Sequence, residues 1–327
     1  GEDSPRLWIL THLDVVPPGE GWTVTEPFKP VVKDGKIYGR GSEDNTQSLV
    51  SSLYAVKALM NLGVRPKRTI ILAFVSDEET GSKYGLEWLI KEHPELFQKN
   101  DLVLVPDGGN EDGTFIEVAE KSRLAFKVKT IGKQTHAMSP EKGVNAHLVG
   151  MRFAVALHDM LYEKYSSKNE LFEPPISTFE PTKKEKNVDA VNIIPGEDVT
   201  YFDCRILPEH NLDEILNDIN GLAREFGRKY NAKIEIEVLR KGSSLPTSPD
   251  AKIVRMLVKA LKEIRGIEPK IGGIGGGTFA AFLRNEGIPA AVWSTCDETA
   301  HQANEYAKIS NLVEDAKIMA ALAMLEE

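Results

Sequence analysis

Leu7-Trp8-Ile9-Leu10-Thr11-His12-Leu13-Asp14 is the stretch on which the architecture turns. Four consecutive apolar residues followed by a histidine and an acid two positions apart read as a buried strand that presents polar side chains at its carboxyl end. Working outward, Leu49, Val50, Leu53, Val56 and Met60 recur at helical spacing, and Gly63 follows them as a C-terminal cap. Residues 69–75 and 102–105 are continuous apolar runs of strand length, as expected of strands covered on both faces. Strand and helix patterns in alternation predict an α/β fold with a mixed, largely parallel sheet flanked by helices.

The pattern changes near Leu124, where Leu124, Phe126 and Val128 alternate with Lys127 and Lys129. That period predicts a half-exposed antiparallel sheet. A helix through Leu148, Met151, Val155 and Tyr162 follows, then a Pro- and Lys-rich loop, a short strand near Asn192 and a strand over 199–206. A second helix carries Leu212, Ile215, Ile219, Leu222 and Phe226 on one stripe, and Ile234, Ile236 and Val238 close the segment as a strand. The reading is βαββαβ, a four-stranded sheet with two helices on one face. After Pro249 the α/β character returns, with a helix through Val254, Leu257, Leu261 and Ile264 that ends at Gly266. The expected organisation is a discontinuous domain, 1–121 with 241–327, interrupted by an inserted domain at 122–240.

The 327 residues, 41% apolar and 27% charged, are those of an ordinary globular protein with enough chain for two domains. A formal charge of −9 and the absence of a basic stripe argue against nucleic acid as a partner. No apolar run is long enough to span a bilayer, so no membrane partner is expected. Cys204 and Cys296 are too few for a disulfide scaffold, and a cytoplasmic location is expected. The apolar run begins so close to Gly1 that natural residues upstream are expected to be missing. Methionine and aromatic side chains read as core, His158 as a packed residue, and His93, His147 and His210 as residues without a partner motif.

Chemistry gathers at the strand ends. His12 and Asp14, at i and i+2, face the same way, so that one can ligate a metal while the other accepts the second imidazole proton. Asp44 in Gly39-Arg40-Gly41-Ser42-Glu43-Asp44-Asn45 stands at the mouth of a helix expected over 45–62, where a helix cap is the competing reading. Residues 69–75 run into Ser76-Asp77-Glu78-Glu79-Thr80-Gly81, and 102–105 into Pro106-Asp107-Gly108-Gly109, each at a carboxyl end where open α/β sheets place ligands. His301 lies in Glu298-Thr299-Ala300-His301-Gln302. Two carboxylates about 4 Å apart repel by roughly 4 kcal/mol at an effective dielectric near 20, so convergence of these acids requires cations. Histidine with carboxylates and no thiolate suits zinc or a similar divalent ion, and an odd number of carboxylates suits a bridged pair of ions.

These motifs, in this order, resemble those of the dinuclear zinc peptidase family, which contains succinyl-diaminopimelate desuccinylase, acetylornithine deacetylase, aminoacylase, carboxypeptidase G and Xaa-His dipeptidases. The resemblance covers nearly the whole chain. It implies a catalytic metal-binding domain at 1–121 and 241–327, with 122–240 as a lid used for dimerisation. It implies two Zn2+ per subunit, with Co2+ or Mn2+ as substitutes: one held by His12 and Asp107, the other by Glu79 and His301, with Asp44 bridging. By the same resemblance Glu78 is the general base, Asp14 orients His12, and the Asp44-Asn45 peptide is cis. His136 in Gln134-Thr135-His136-Ala137 matches the lid histidine that stabilises an oxyanion. Asn192, Arg205 and the loop Gly275-Gly276-Gly277-Thr278, with Gly276, Gly277 and Thr278 as contacts, match substrate-binding positions. Pairing of Arg205 with Asp203 is the competing reading of that arginine.

The implied reaction is hydrolysis of an amide or peptide bond in a small carboxylate-bearing substrate. An N-acyl-amino-acid deacylase of desuccinylase type is expected, with a metal-dependent dipeptidase or carboxypeptidase, or a non-catalytic binding homologue, as alternatives. The expected partners are a small N-acyl amino acid or short peptide and a second copy of the chain, joined through the lid. The stretches 41–45 and 275–279 depart from the desuccinylase pattern, and His301-Gln302-Ala303-Asn304-Glu305-Tyr306 is similar to dipeptidase members, whereas the compact insertion is of the dimerising type.

Overall fold

The computed structural model describes residues 5–326. The chain forms two compact units, Gly1–Glu120 with Leu245–Glu327, and Lys121–Ser244.

The first unit is built on a six-stranded sheet in the order Lys270–Ile274, Phe115–Glu120, Ala290–Thr295, Leu102–Asn110, Leu7–His12 and Ile70–Val75. Neighbours run parallel except Ala290–Thr295 against Phe115–Glu120. The mixed, largely parallel sheet is thus as the sequence predicts. Every residue of Leu7–His12 is buried, because parallel strands on both sides and helices on both faces leave no solvated surface. Ile70–Val75 departs from the expectation of cover on both faces. It is one of the two edge strands among the described residues, Ile70 to Ala73 are only half-buried, and Phe74 is exposed. One core cluster joins Trp8, Leu10, Val103, Val105, Phe279 and Val292.

Two helical expectations change in detail. The helix after Asp44 is Ser48–Asn61, and Ser42–Gln47 ahead of it is a distorted turn with non-helical φ/ψ at Asp44 and Asn45. Its buried stripe is Ser48, Ser51, Ser52, Ala55 and Leu59, while Leu53, Tyr54 and Met60 face outward. Small residues let this helix approach Leu7–His12 and Ile70–Val75 closely, and its larger apolar side chains lie towards the Ile309–Met324 helix or solvent. Exposed Met60, Met138, Phe28 and Tyr84 likewise contradict the reading of methionine and aromatic residues as core throughout.

The second unit is an antiparallel sheet in the order Lys233–Gly242, Ser122–Ile131, Glu197–Ile206 and Thr178–Lys184, packed by the helices Ala146–Lys164 and Leu212–Tyr230. Its core stacks Phe126 on Phe202 with ring centroids 5.0 Å apart and adds Phe153, Leu157, Phe179, Ile215 and Ile219. The βαββαβ order holds, but its second strand is Thr178–Lys184, which the sequence reading assigned to a loop. Pro181 is tolerated because an edge strand has a side that needs no N–H, and the register shifts where Phe202 faces Pro181. The short strand near Asn192 is Ile193–Ile194, and it pairs with Thr135–His136 in a separate two-stranded ribbon. His147, read as partnerless, holds the buried Asp198 at 2.8 Å; His158 is half-exposed and packs on Tyr162.

Among the described residues no helix is long and apolar enough to cross a membrane.

Candidate metal centre

His12 ends a buried strand, and its ring is itself almost fully buried. Nδ1–H donates to the main-chain carbonyl of Asp14 at 2.9 Å. A neutral ring then turns the Nε2 lone pair towards Asp44 Oδ1 at 2.8 Å and Asp107 Oδ1 at 3.3 Å. A lone pair facing two carboxylates demands either a second proton or a cation among them. Burial disfavours the imidazolium, yet the hydrogen bonds and charges of Asp107 and Asp44 outweigh it and push His12 up to about 11. The donor set therefore fits a metal ion. Among the described residues, no lysine or arginine is paired with Asp44, Glu78, Glu79 or Asp107.

His301, 289 positions further along the chain than His12, closes the other side. Its Nε2 lies 3.1 Å from Asp44 Oδ2 and 3.2 Å from Glu79 Oε1. The two oxygens of Asp44 thus face two different histidines. Ligand-capable atoms of His12, Asp44 and Glu79 lie within 4.8 Å of one another, and so do those of His12, Glu78 and Asp107. Burial, then Asp107, Glu79 and Asp44, push Glu78 up to about 8 against the pull of His12. Burial raises Asp107 and Glu79 as well, whereas His12 and His301 outweigh burial at Asp44 and lower it. The Asp44-Asn45 peptide is cis.

Asp14 makes contacts other than those expected. Its carboxylate stands 3.7 Å from His12 Nδ1, and it accepts instead from the backbone N–H groups of Glu78 at 3.2 Å and Glu79 at 3.1 Å. The His12 ring is oriented by the Asp14 carbonyl, and the Asp14 side chain fixes the turn that carries the two glutamates. Asn45, whose side chain was given no role from sequence, donates to Pro106 O at 2.9 Å and Asp107 Oδ1 at 2.6 Å. Its place beside Asp44 was the available signal.

The Gly-rich loop reaches the same centre, since Phe279 sets its ring edge-on to His12 with centroids 6.1 Å apart. Gly276 and Gly277 lead into the helix Ala280–Asn285. The Thr278 hydroxyl donates to Glu120 at 2.9 Å, and Arg284, fully buried, pairs with Glu117 at 2.9 Å and Glu120 at 3.4 Å. In the second unit, Ala137 N donates to Asn192 O at 2.9 Å, which brings His136 and Asn192 to one ribbon. His136 is exposed and its Nδ1 accepts from Met138 N at 3.1 Å, so the neutral ring carries its proton on Nε2. Arg205 lays its guanidinium on Asp203, with Nε–Oδ1 at 2.7 Å and Nη2–Oδ2 at 3.3 Å, the competing reading of that residue.

The model of peptidase family M20/M25/M40 matches residues 8–325. An uncharacterized metallohydrolase of Methanocaldococcus jannaschii is 45% identical over 329 residues, covering 97% of this chain and 80% of the relative. Succinyl-diaminopimelate desuccinylase of Nautilia profundicola is 30% identical over 306 residues, covering 93% and 79%. Among solved structures, a tripeptidase from Staphylococcus aureus superposes with a TM-score of 0.76 at 21% identity, covering 98% of this chain and 80% of that one. An M20 family metallo-carboxypeptidase from Sulfolobus solfataricus gives 0.76 at 18% identity, covering 99% and 85%. At these identities the two structures speak for the fold alone.

Proposed function

The chain belongs to peptidase family M20/M25/M40, metal-dependent hydrolases of amide and peptide bonds, and from that premise we propose that it is a dinuclear zinc N-acyl-amino-acid deacylase. The observation that carries the proposal is Asp44 with one oxygen turned to His12 and the other to His301. In this reading His12 and Asp107 would hold one ion, Glu79 and His301 the other, with Asp44 shared between them.

Two bound cations would supply the positive charge that acidifies a water and polarises the scissile carbonyl. Glu78, on a turn pinned by the Asp14 carboxylate, would serve as the base that takes a proton from the attacking water and returns it to the leaving amine. Asn45 keeps Asp107 aimed at His12. Backbone N–H groups of the Gly276-Gly277 loop receive the substrate carboxylate, with Thr278 held on Glu120 to fix the loop. His136 offers an Nε2–H donor for the developing oxyanion, and Asn192, on the same ribbon, contacts substrate. The contact role of Arg205 rests on the resemblance alone, given its hold on Asp203.

The domain 122–240 acts as a lid and dimerises the protein; light scattering is expected to give a dimer, and a fully active monomer would remove that role. Similarity to succinyl-diaminopimelate desuccinylases at 26–30% identity supports the choice of acyl-amino acids over peptides in this reading. The test is amine release from zinc- or cobalt-loaded protein on matched panels of N-acyl amino acids, dipeptides and C-terminally blocked peptides. Preference for acyl-amino acids supports the proposal, preference for dipeptides replaces it with the peptidase reading, and no turnover on any member removes both.

A further inference from the structure

The loops that carry Asp44 and His301 each hold a buried glutamate, and each glutamate is committed to the opposite loop. Glu43 precedes Asp44, yet its carboxylate accepts from Asp297 N at 2.6 Å, Thr299 Oγ1 at 2.9 Å, Ala300 N at 2.9 Å, and Thr299 N. All of these lie in the turn that delivers His301. Glu305 follows His301, yet its carboxylate accepts from Gly41 N, Glu43 N and Asp44 N, each at 3.0 Å, and from Arg40 Nη1 at 2.5 Å. All of these lie in the turn that delivers Asp44. Both glutamates are buried, and neither belongs to the acidic groups that surround His12.

A carboxylate is an acceptor without a donor, so it can gather several converging N–H groups that helix and sheet leave unpaired. The His301 turn has special need of this. Glu298, His301 and Asn304 all take left-handed φ values, of 59°, 64° and 60°. Non-glycine residues keep that conformation only where surrounding contacts hold them. Glu43 supplies those contacts on the His301 side, and Glu305 does the same for the turn around Asp44.

We propose that Glu43 and Glu305 form a reciprocal clasp that positions His301 and Asp44 for the metal ion those two ligands share. They are positioning residues, acting through backbone amides and touching neither ion nor substrate. The proposal rests on the dinuclear reading above. Its consequence is selective: loosening Glu43 displaces His301 and leaves His12 and Asp107 on their own strands.

The experiment is a competitive-chelator titration of the full chain with zinc, which resolves two binding steps in the wild type. His301→Ala identifies the step that depends on His301. Glu43→Gln places an amide N–H among the converging donors and is expected to weaken that same step by about 10–100-fold, the usual effect of disturbing a ligand's supporting contacts, while the other step stays put. Thr299→Val removes one donor while keeping the size of the side chain, and is expected to move the same step in the same direction by a smaller factor. Glu305→Gln, acting on the bridge, weakens both steps. If circular dichroism shows Glu43→Gln unfolded, Thr299→Val decides. Both zinc constants unchanged in the folded variants, or both steps lost equally in Glu43→Gln and Thr299→Val, overturns the clasp and leaves the dinuclear reading standing. A wild type that takes up fewer than two zinc ions removes the dinuclear reading and the clasp with it.

Discussion

Glu78→Gln should act in opposite senses on stability and on turnover. In the metal-free protein, burial and the neighbouring Asp107, Glu79 and Asp44 push Glu78 from 4.5 up to about 8. Each unit of such a shift corresponds to about 1.4 kcal/mol. Below pH 4.5 the group is protonated whether folded or not, and its burial adds no pH-dependent cost. As the pH rises the unfolded chain releases the proton first, so the penalty on folding grows through this window and is complete above about 8. At pH 7 the interval above 4.5 amounts to about 3 kcal/mol, which the neutral amide avoids. Urea unfolding in excess chelator should therefore give wild type and variant similar stabilities near pH 4.5, with the variant ahead by about 3 kcal/mol at pH 7. Loaded with zinc, the same variant should retain its metal and lose about 100- to 10,000-fold in kcat. A stability difference that does not grow with pH would refute the electrostatic argument. Zinc lost together with activity would refute the assignment of Glu78 as base and Glu79 as ligand.

Asp14→Ala frees the backbone amides of Glu78 and Glu79, and should lower kcat about 10- to 100-fold in the zinc-loaded enzyme with His12 still ligating, checked by metal analysis beside kinetics. Arg284→Met removes the arginine that pairs with the buried Glu117 and Glu120 and should cost about 3–5 kcal/mol, read as a lower urea midpoint and accompanied by a raised KM as the Thr278 loop loosens. Burial pushes Asp315 up to about 7 over the opposing hydrogen bonds from Thr295, so the folded state holds this proton longer than the unfolded chain. Stability from this group is then lost as the pH rises from about 4 to about 7, and Asp315→Asn should flatten the fall in melting temperature across that window.

Much of this was legible along the chain because it depends on local pattern. The apolar run Leu7 to Leu10 and the acids closing the next two strands announce a sheet with ligands at its carboxyl edge, and the structure gathers those acids. Thr178–Lys184 was not legible, since a strand at an edge with Pro181 and two lysines carries no alternation to read. The buried face of Ser48–Asn61 escaped for a related reason: serine and alanine were selected there by close approach, a property of the neighbouring strands rather than of the helix. Asp14 shows the limit of spacing arguments. Its position beside His12 is readable, but whether the carbonyl or the carboxylate meets the ring depends on where Glu78 and Glu79 bring their amides. Glu43 and Glu305, 262 positions apart and joined through backbone groups, leave no trace in either local sequence.

The order of the candidate ligands along the chain has a consequence for biosynthesis. Leu102–Asn110 lies between Leu7–His12 and Ala290–Thr295, so the middle of the sheet is assembled from segments far apart in the chain. At translation speeds of roughly 5–20 residues per second, on the order of 10 to 40 seconds separate the emergence of Asp107 from that of His301. During that interval the nascent chain bears its cluster of acids without the second imidazole. In the dinuclear reading proposed above, a chain interrupted before His301 would lack the imidazole that faces Asp44 and Glu79.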